Sequence, residues 1–259
     1  MSKIISIHSF RGGTGKSNLT ANLAAQVAMS GKRVAIMDTD IQSPGVHVLF
    51  GLDESTMPHT LNEYLRSEIS IEEASFHVGK NAGDMPGRKK LEGKDIWLIP
   101  ASINGNEIKQ ILRDGYDVNR LNEGLFDITQ SLNLDYLFID THPGLNEETL
   151  LSIVSSTTLL LILRPDQQDF QGTAVTIDIA RVLDVPDMFL VVNKALSKYD
   201  PAQIKSQVED TYNCPVAGVL PLSEDLVENA SNDIFSLAIP DHPWSREINS
   251  IATALMTKN

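Results

Sequence analysis

Seven short runs rich in apolar residues recur along the chain. They are nearly continuous rather than alternating, which is typical of strands covered on both faces of a sheet. The runs span residues 4–7, 33–37, 95–100, 135–140, 158–163, 188–193 and 216–221. Stretches with helical spacing lie between most of them, at 19–28, 117–132, 147–154, 172–183 and 201–212. This alternation predicts an α/β fold with a doubly wound, mostly parallel β-sheet and helices on both faces.

The stretch between residues 51 and 93 is the least regular part of the chain. Apolar residues recur there over only a few positions at a time, between glycine, proline and charged residues. We expect two short helices in it, over 60–66 and 70–77.

The C-terminal stretch, residues 243–259, carries apolar residues at helical spacing. These are Trp244, Ile248, Ile251 and Leu255. Its polar face has only Arg246 and Lys258 as cations, offset by Glu247, whereas a helix that lies in a membrane interface usually has a face rich in Lys and Arg. We therefore expect a packed terminal helix, and we do not expect a membrane as a partner.

Length and composition fit one domain over residues 1–259. The chain is 42% hydrophobic and 21% charged, which suits one α/β domain with a sizeable core. No apolar run reaches the roughly 18 residues of a membrane span, and the first residues lack the apolar region of a signal peptide. The sole cysteine, Cys214, allows no disulfide, C-x-x-C metal pair or iron–sulfur ligand set within one chain. We expect a cytoplasmic protein.

The chain is acidic, with a net charge of −13 and a pI near 4.8. Bulk DNA should repel such a chain unless basic residues cluster. One cluster lies between residues 79 and 94, and it consists of Lys80, Arg88, Lys89, Lys90 and Lys94. The glycines and proline around it favour a loop or hairpin tip. An exposed solvated loop and a patch for DNA or an acidic partner both fit, so nucleic-acid binding stays open.

A glycine-rich loop follows the first predicted strand and precedes the first predicted helix. It reads Phe10-Arg11-Gly12-Gly13-Thr14-Gly15-Lys16-Ser17-Asn18. A strand, a loop ending in Gly-Lys-Ser and a helix form the context that a phosphate-binding P-loop requires. Backbone N–H groups and the positive helix end would surround the phosphates, Lys16 would reach the β- and γ-phosphates, and the Ser17 hydroxyl would bind Mg²⁺. The loop therefore predicts a site for ATP and Mg²⁺.

Further candidate residues follow the other strands, because ligands of an open parallel sheet bind at the carboxyl ends of the strands. These residues are Asp38, Asp40, Asp140, Gly144, Asn193, Pro221 and Leu222. Asp140 suits holding a Mg²⁺-bound water or the Ser17 hydroxyl. Asp40 suits positioning the attacking water or coordinating Mg²⁺ through water. Asp38 is expected to orient its loop.

The remaining residues concern the γ-phosphate and the base. The Gly144 N–H would sense the γ-phosphate, and the Asn193 amide would read the adenine edge beside Pro221 and Leu222. Aspartates at strand ends also cap helices, and an asparagine there also serves as a plain turn residue. His142 is compatible with a catalytic histidine or with a variable residue of a switch segment.

These residues resemble the ParA/MinD family of P-loop ATPases, motif by motif and over roughly residues 3–230. The deviant P-loop of that family reads K-G-G-x-G-K-[ST], and Arg11 stands where the family has its signature lysine. The segment from Asp38 to Asp40 resembles its switch I, and Asp140 to Gly144 resembles its Walker B and switch II. Residues 193–194 and 219–221 resemble its base-binding strand ends.

The resemblance implies a seven- or eight-stranded domain that hydrolyses ATP slowly and forms an ATP-sandwiched homodimer. In that family the cycle positions or partitions intracellular cargo, and we expect a partner protein to stimulate hydrolysis. Arg11 would cross to the phosphates of the partner subunit, or alternatively make a local salt bridge or face solvent, since Arg and Lys are not interchangeable. Lys16, Asp40 and Arg11 would then be catalytic, with Ser17, Asp40 and Asp140 at the metal.

Two other classes of function stay open. One is a nucleotide-gated binding module that hardly hydrolyses ATP. The other is an ATP-dependent small-molecule ligase or a kinase on the same scaffold. Electron-transfer and metal-insertion relatives of this superfamily need paired cysteines, so the single Cys214 argues against them.

Overall fold

The computed structural model describes residues 2–257 and contains one eight-stranded β-sheet. The strands are β1 Lys3–His8, β2 Val34–Asp38, β3 Phe76–His77, β4 Ile96–Ile99, β5 Tyr136–Asp140, β6 Thr158–Leu163, β7 Asp187–Ala195 and β8 Val216–Pro221. Their order is β3-β4-β2-β5-β1-β6-β7-β8, and only the pairing of β3 with β4 is antiparallel among these described strands. The predicted fold class, a doubly wound and mostly parallel sheet, is confirmed.

Helices connect the strands on both faces of the sheet. They are α1 Lys16–Met29, α2 Val46–Leu49, α3 Leu61–Leu65, α4 Pro86–Lys89, α5 Gly105–Asp114, α6 Val118–Ser131, α7 Glu147–Val154, α8 Gln167–Val182, α9 Pro201–Tyr212, α10 Glu224–Glu228, α11 Phe235–Ala238 and α12 Pro243–Thr257. A 3₁₀ turn spans Val78–Lys80. The expected helix over 60–66 is present as α3.

The predicted helix over 70–77 is wrong. Residues 71–74 form turns, and Phe76 and His77 form the edge strand β3, paired with Leu98 and Trp97. The ring of His77 lies against the ring of Trp97, with centroids 4.6 Å apart. A strand pairing and a ring contact from elsewhere in the chain thus decide this segment, because so short a helix gains little from its own hydrogen bonds.

Both faces of the sheet are buried. In β5, Phe138 belongs to a core cluster that includes residues of α1 and α12. Its neighbours Leu137 and Ile139 belong to a second cluster with residues of α6. Burial on two sides explains why the strands are continuous apolar runs rather than alternating ones.

The C-terminal helix α12 packs onto the body of the domain. Its buried apolar residues are Trp244, Ile248, Ile251 and Leu255. They join the core cluster that contains α1, so the protein itself covers this apolar face, as expected. Lys258, one of the two cations predicted for its polar face, lies outside the described residues. No helix within residues 2–257 is long and apolar enough to cross a membrane.

The basic stretch before β4 is tied to the C-terminal part of the chain. The backbone N–H groups of Gly87 and Arg88 donate to the Asp233 carboxylate at 2.7 and 2.8 Å. Nζ of Lys90 donates to the Leu237 carbonyl at 2.7 Å. The cations that keep exposed or half-exposed side chains without such a contact are Lys80, Lys89 and Lys94. Contacts within the fold thus hold the central part of this stretch, whereas the side chains of Lys80, Lys89 and Lys90 are exposed. The solvated loop and the patch for DNA or an acidic partner both stay open.

Phe138→Ala should lower the free energy of unfolding by about 3–5 kcal/mol, because Phe138 is fully buried in a central strand and its loss leaves a cavity. Phe126→Ala is the matched control, since Phe126 is 46% exposed on α6 and should cost about 1 kcal/mol. Urea unfolding followed by circular dichroism measures both. If Phe138→Ala does not fold, Phe138→Leu should give an intermediate loss. Equal losses for the two alanine variants would contradict this account of the core.

Candidate functional site

The P-loop joins β1 to α1, and glycines shape it. Gly13 and Gly15 have φ of +76° and +96°, a left-handed conformation that favours glycine. A Cβ on Gly15 would lie 2.7 Å from Nδ2 of Asn193, so this position also requires the absence of a side chain. Lys16 is the first residue of α1 and is buried. The loop therefore brings a buried cation and the N-terminus of a 14-residue helix together.

Two residues at the end of β7 brace the loop. Nδ2 of Asn193 donates to the Thr14 carbonyl at 2.8 Å, and Nζ of Lys194 donates to the Gly13 carbonyl at 2.8 Å. Oδ1 of Asn193 in turn accepts from the Lys194 N–H at 2.9 Å. Each end of the Asn193 amide thus makes one hydrogen bond. Since Nδ2 carries two N–H groups and Oδ1 has two lone pairs, the amide keeps a donor and an acceptor for the predicted contact with adenine.

Asp140 lies directly beside the start of α1. Oδ2 of Asp140 accepts a hydrogen bond from the Ser17 hydroxyl at 2.7 Å, and Oδ1 accepts one from the Thr20 hydroxyl at 3.0 Å. Burial raises the pKa of the Asp140 carboxyl, against the lowering effect of Lys16 and of the two hydroxyl donors. The structure thus joins Ser17 and Asp140, the two residues expected nearest to Mg²⁺. Thr20 is a partner that the sequence analysis missed, one helical turn beyond Lys16.

Asp38 orders the segment that follows β2. Its Oδ1 accepts from the Asp40 N–H at 3.1 Å, and its Oδ2 accepts from the N–H groups of Gly45 and Val46 at 3.1 and 3.2 Å. Burial raises the pKa of the Asp38 carboxyl, and the negative charge of Asp140 on the adjacent strand raises that pKa further. Its three backbone contacts are those of a loop-orienting residue.

Asp40 lies at the same edge of the sheet. Its Oδ1 accepts hydrogen bonds from the backbone N–H and hydroxyl of Ser43 at 3.1 and 3.0 Å. Nδ1 of His142 lies 2.7 Å from the same oxygen. The sequence analysis did not predict this contact between His142 and Asp40. The feature of the sequence that could have indicated it is a polar side chain two residues after Asp140.

His8 is a further residue that sequence reasoning missed. Its Nδ1 lies 2.8 Å from the Thr141 hydroxyl oxygen, and that hydroxyl donates to the Ile7 carbonyl at 3.0 Å. The hydroxyl proton is therefore used, so Nδ1 of His8 carries a proton and donates. Burial, with smaller contributions from Lys16 and His142, lowers the pKa of His8 to about 3. His8 is thus a neutral histidine beneath the P-loop.

The switch segment after β5 contacts the P-loop through its backbone. The Gly144 N–H donates to the Ser9 carbonyl at 3.2 Å, and Gly144 has φ of +88°. In this arrangement the N–H that we expected to sense the γ-phosphate is engaged by the loop. Its role at the phosphate remains a prediction and requires this bond to open.

Arg11 lies on the exposed outer side of the P-loop. It lines a shallow surface with Phe10, Gln168, Gln171, Gly172 and Val175. Among residues 2–257, no carboxylate lies within 4.0 Å of its guanidinium. Burial by itself would raise the pKa of Asp169. Hydrogen bonds from Arg164, whose Nε lies 2.9 Å from the carboxylate, and the positive charges of Arg164 and Arg11 together lower that pKa instead. The structure therefore does not provide the local salt bridge considered for Arg11, and its exposure agrees with the solvent-facing alternative as well as with a contact to a partner subunit.

A cavity of about 240 Å³ adjoins the P-loop at the ends of β7 and β8. The site residues named from the sequence that line it are Gly15, Asn18, Asn193, Lys194, Pro221 and Leu222. Ser223 and Ser231, which the sequence analysis did not name, also line it, and so does Trp244, which was expected only as a packing residue of the C-terminal helix. Nδ2 of Asn18 donates to the Ser231 hydroxyl at 3.2 Å, and Oδ1 of Asn18 is buried without a partner among the described residues. The cavity thus has apolar walls and an unused acceptor.

The parallel sheet, the P-loop and the aspartates at the strand ends define a P-loop nucleoside triphosphatase. A family model described as "ParA: NUBPL iron-transfer P-loop NTPase" matches residues 1–256. The chain belongs to this ParA family of P-loop NTPases, and the resemblance drawn from its motifs is confirmed.

Relatives whose names give different functions match the chain. An uncharacterized ATP-binding protein of Methanocaldococcus jannaschii is 27% identical over 258 residues, covering 99% of this chain and 88% of that protein. The septum site-determining protein MinD of Thermotoga maritima is 22% identical over 248 residues, covering 90% and 80%. An iron–sulfur cluster carrier protein of Aquifex aeolicus is 24% identical over 264 residues, covering 97% and 66%. Sequence identity alone therefore does not choose among these functions.

Solved structures share the fold. MinD of Pyrococcus horikoshii, complexed with Mg-ADP, has a TM-score of 0.82 at 18% identity and covers 99% of this chain and 97% of its own. A plasmid partition protein of Borrelia burgdorferi has a TM-score of 0.71 at 18% identity and covers 100% and 99%. At such identities the likeness establishes the fold alone.

The neutral state of His8 should make the protein less stable in mild acid. Its folded pKa of about 3 lies below the usual value of about 6.5, so His8 stabilises the fold above pH 6.5, and this stability is lost as the pH falls towards 3. Between pH 7 and pH 5 the loss amounts to about 2 kcal/mol. His8→Asn, which keeps a donor for Thr141, should remove this part of the pH dependence.

Urea unfolding at pH 7 and pH 5, without nucleotide or metal, measures the difference between wild type and His8→Asn. His59→Asn is the control, because His59 is a half-exposed surface residue and its replacement should leave the wild-type pH dependence in place. If His8→Asn loses as much stability as wild type between the two pH values, His8 does not carry the effect.

Proposed function

We propose that this protein is an ATPase of the ParA/MinD type, in which ATP drives the association of two copies. In this role the ATP cycle positions or partitions cargo in the cytoplasm, and a partner protein stimulates a slow intrinsic hydrolysis. The observation that carries the proposal is the hydrogen bond from Ser17 to Asp140 beside the buried Lys16. Asp40 lies at the same edge of the sheet, and Arg11 is exposed.

The residues present fit ATP and Mg²⁺. The Thr14 hydroxyl and Oδ1 of Asn18 are buried polar atoms without partners among the described residues. Thr14 belongs to the P-loop, and Asn18 lines the cavity at the ends of β7 and β8. Buried groups of this kind normally find a hydrogen-bond partner, which supports a polar ligand here. Ser17 and Asp140 would hold Mg²⁺, which supplies charge neutralisation at the phosphates. Lys16 would bind the phosphates, and Asp40 would orient the attacking water.

The exposure of Arg11 supports its role across a dimer. A guanidinium without a carboxylate within 4.0 Å among the described residues is available to an anion outside its own subunit. The surface around Arg11 contains the half-exposed apolar side chains of Phe10 and Val175. Contact with a second copy would cover this surface and bring Arg11 to the phosphates of that copy, as an arginine finger does.

Iron–sulfur cluster transfer is less well supported. Clusters are held by cysteine thiolates, and Cys214 is the one cysteine of this sequence. It is 4% exposed, and its Sγ lies 3.7 Å from the Met188 carbonyl. A dimer of this chain would therefore offer two buried thiols, which favours the positioning role over cluster transfer.

Light scattering with ADP-Mg²⁺ and with ATP-Mg²⁺ tests the proposal. Wild type should dimerise with ATP, and Asp40→Ala should dimerise more persistently because it binds ATP without hydrolysing it. Arg11→Ala should weaken the ATP dimer at least about tenfold, whereas Arg11→Lys should retain it in part. Arg113→Ala is the matched control, because Arg113 is exposed on α5 and away from the P-loop.

Each contrary result has a distinct meaning. If all forms stay monomeric in ATP, the positioning mechanism is wrong, and ATP turnover that requires a small substrate would then identify a ligase or kinase. If wild type dimerises but turnover is absent even with candidate partners, a nucleotide-gated binding module is the better description. If Arg11→Ala dimerises like wild type, Arg11 does not act across the interface.

A further inference from the structure

The two oxygens of the Asp40 carboxylate have different surroundings. Oδ1 accepts from the backbone N–H of Ser43, the Ser43 hydroxyl and Nδ1 of His142, at 3.1, 3.0 and 2.7 Å. No donor from residues 2–257 lies within hydrogen-bond distance of Oδ2. One oxygen is therefore saturated by the protein, and the other is left for a water or another ligand.

The three donors do not hold Asp40 in the same way. Ser43 belongs to the same loop as Asp40 and moves with it. His142 belongs to the segment after β5, and its backbone carbonyl accepts from the Thr149 hydroxyl of α7 at 3.2 Å. Only the bond from His142 therefore fixes the Asp40 carboxylate relative to another strand of the sheet.

The chemistry of the His142 contact is set by its partner. A carboxylate only accepts hydrogen bonds, so Nδ1 of His142 carries the proton and donates. At 2.7 Å this is the shortest of the three bonds to Oδ1, and bonds to a charged acceptor are stronger than neutral ones. The His142 side chain is 23% exposed, so its replacement should cost little stability.

We propose that His142 is a positioning residue for ATP hydrolysis. Its Nδ1–H holds Oδ1 of Asp40 and so turns Oδ2 towards the attacking water. His142 acts through Asp40, and the inference rests on the proposed role of Asp40 in orienting that water. The orientation of a catalytic group affects the rate of the chemical step rather than the binding of ATP.

Three variants of His142 separate position from bulk. In His142→Asn, Nδ2 of the amide takes the place of Nδ1, whereas the amide of His142→Gln lies one bond further out, and His142→Ala has no donor. We expect kcat to fall about tenfold or more for Ala and Gln and to stay within about threefold for Asn. The KM for ATP and the Kd for AMP-PNP should stay at wild-type values in all three.

A second measurement does not depend on turnover assays. If hydrolysis limits the lifetime of the ATP dimer, His142→Ala and His142→Gln should prolong that lifetime in light scattering after dilution into excess ADP, and His142→Asn should not. His59→Ala is the matched control, since Nδ1 of His59 lies 3.2 Å from the Glu63 carboxylate on the surface. It should leave kcat, Kd and dimer lifetime unchanged.

The double variant of His142→Ala with Asp40→Asn tests the proposed roles of Asp40 and His142 separately. Asp40→Asn should abolish turnover, and His142→Ala should add nothing to it, because both changes act on one group. If Asp40→Asn turns over like wild type, the proposed role of Asp40 is wrong. If Asp40→Asn is inactive but His142→Ala keeps the wild-type kcat or exceeds it, the positioning role of His142 is wrong. The same conclusion follows if His142→Gln retains activity and His142→Asn does not.

Discussion

The burial of carboxylates at the ends of β2 and β5 is the constraint on which the site depends. Asp38 and Asp140 are register partners on adjacent strands and are fully buried, so water cannot solvate their carboxylates. The cost of burying a charge is offset only by close donors and opposite charge. Lys16, the hydroxyls at the start of α1 and the backbone N–H groups after β2 supply them. The P-loop and both acidic segments are thereby locked to one another.

This arrangement divides the acidic residues by function. The Asp38 carboxylate accepts hydrogen bonds from backbone N–H groups, and the Asp140 carboxylate accepts hydrogen bonds from the hydroxyls of Ser17 and Thr20. Oδ2 of Asp40 has no hydrogen-bond donor among residues 2–257, so it is the carboxylate oxygen of the three residues that is left for a water or another ligand. Two carboxylates thus stabilise the geometry around a third, and a histidine from a neighbouring segment holds that third one.

On the outer surface of the P-loop, one side chain is packed against a helix and the next is exposed. Phe10 stands where many P-loops have glycine, and its ring packs against the Cα of Gly172 in α8. This contact leaves no room for a side chain at Gly172 and anchors the start of the loop on α8. Arg11, the next residue, is left exposed. The same substitution that departs from the general P-loop pattern therefore also sets the position of the outward cation.

The sequence by itself determined the fold class, the P-loop and the aspartates at the strand ends, because continuous apolar runs and a Gly-Lys-Ser turn are local patterns with one compatible geometry. It did not determine the conformation of residues 70–77, the tethering of Arg88 or the contacts of His8 and His142. These depend on pairings between residues 20 to 150 positions apart, such as His77 with Trp97 and Asp233 with Gly87. Only the tertiary structure decides them, since hydrogen-bond partners from distant strands carry no signal in the local order of residues.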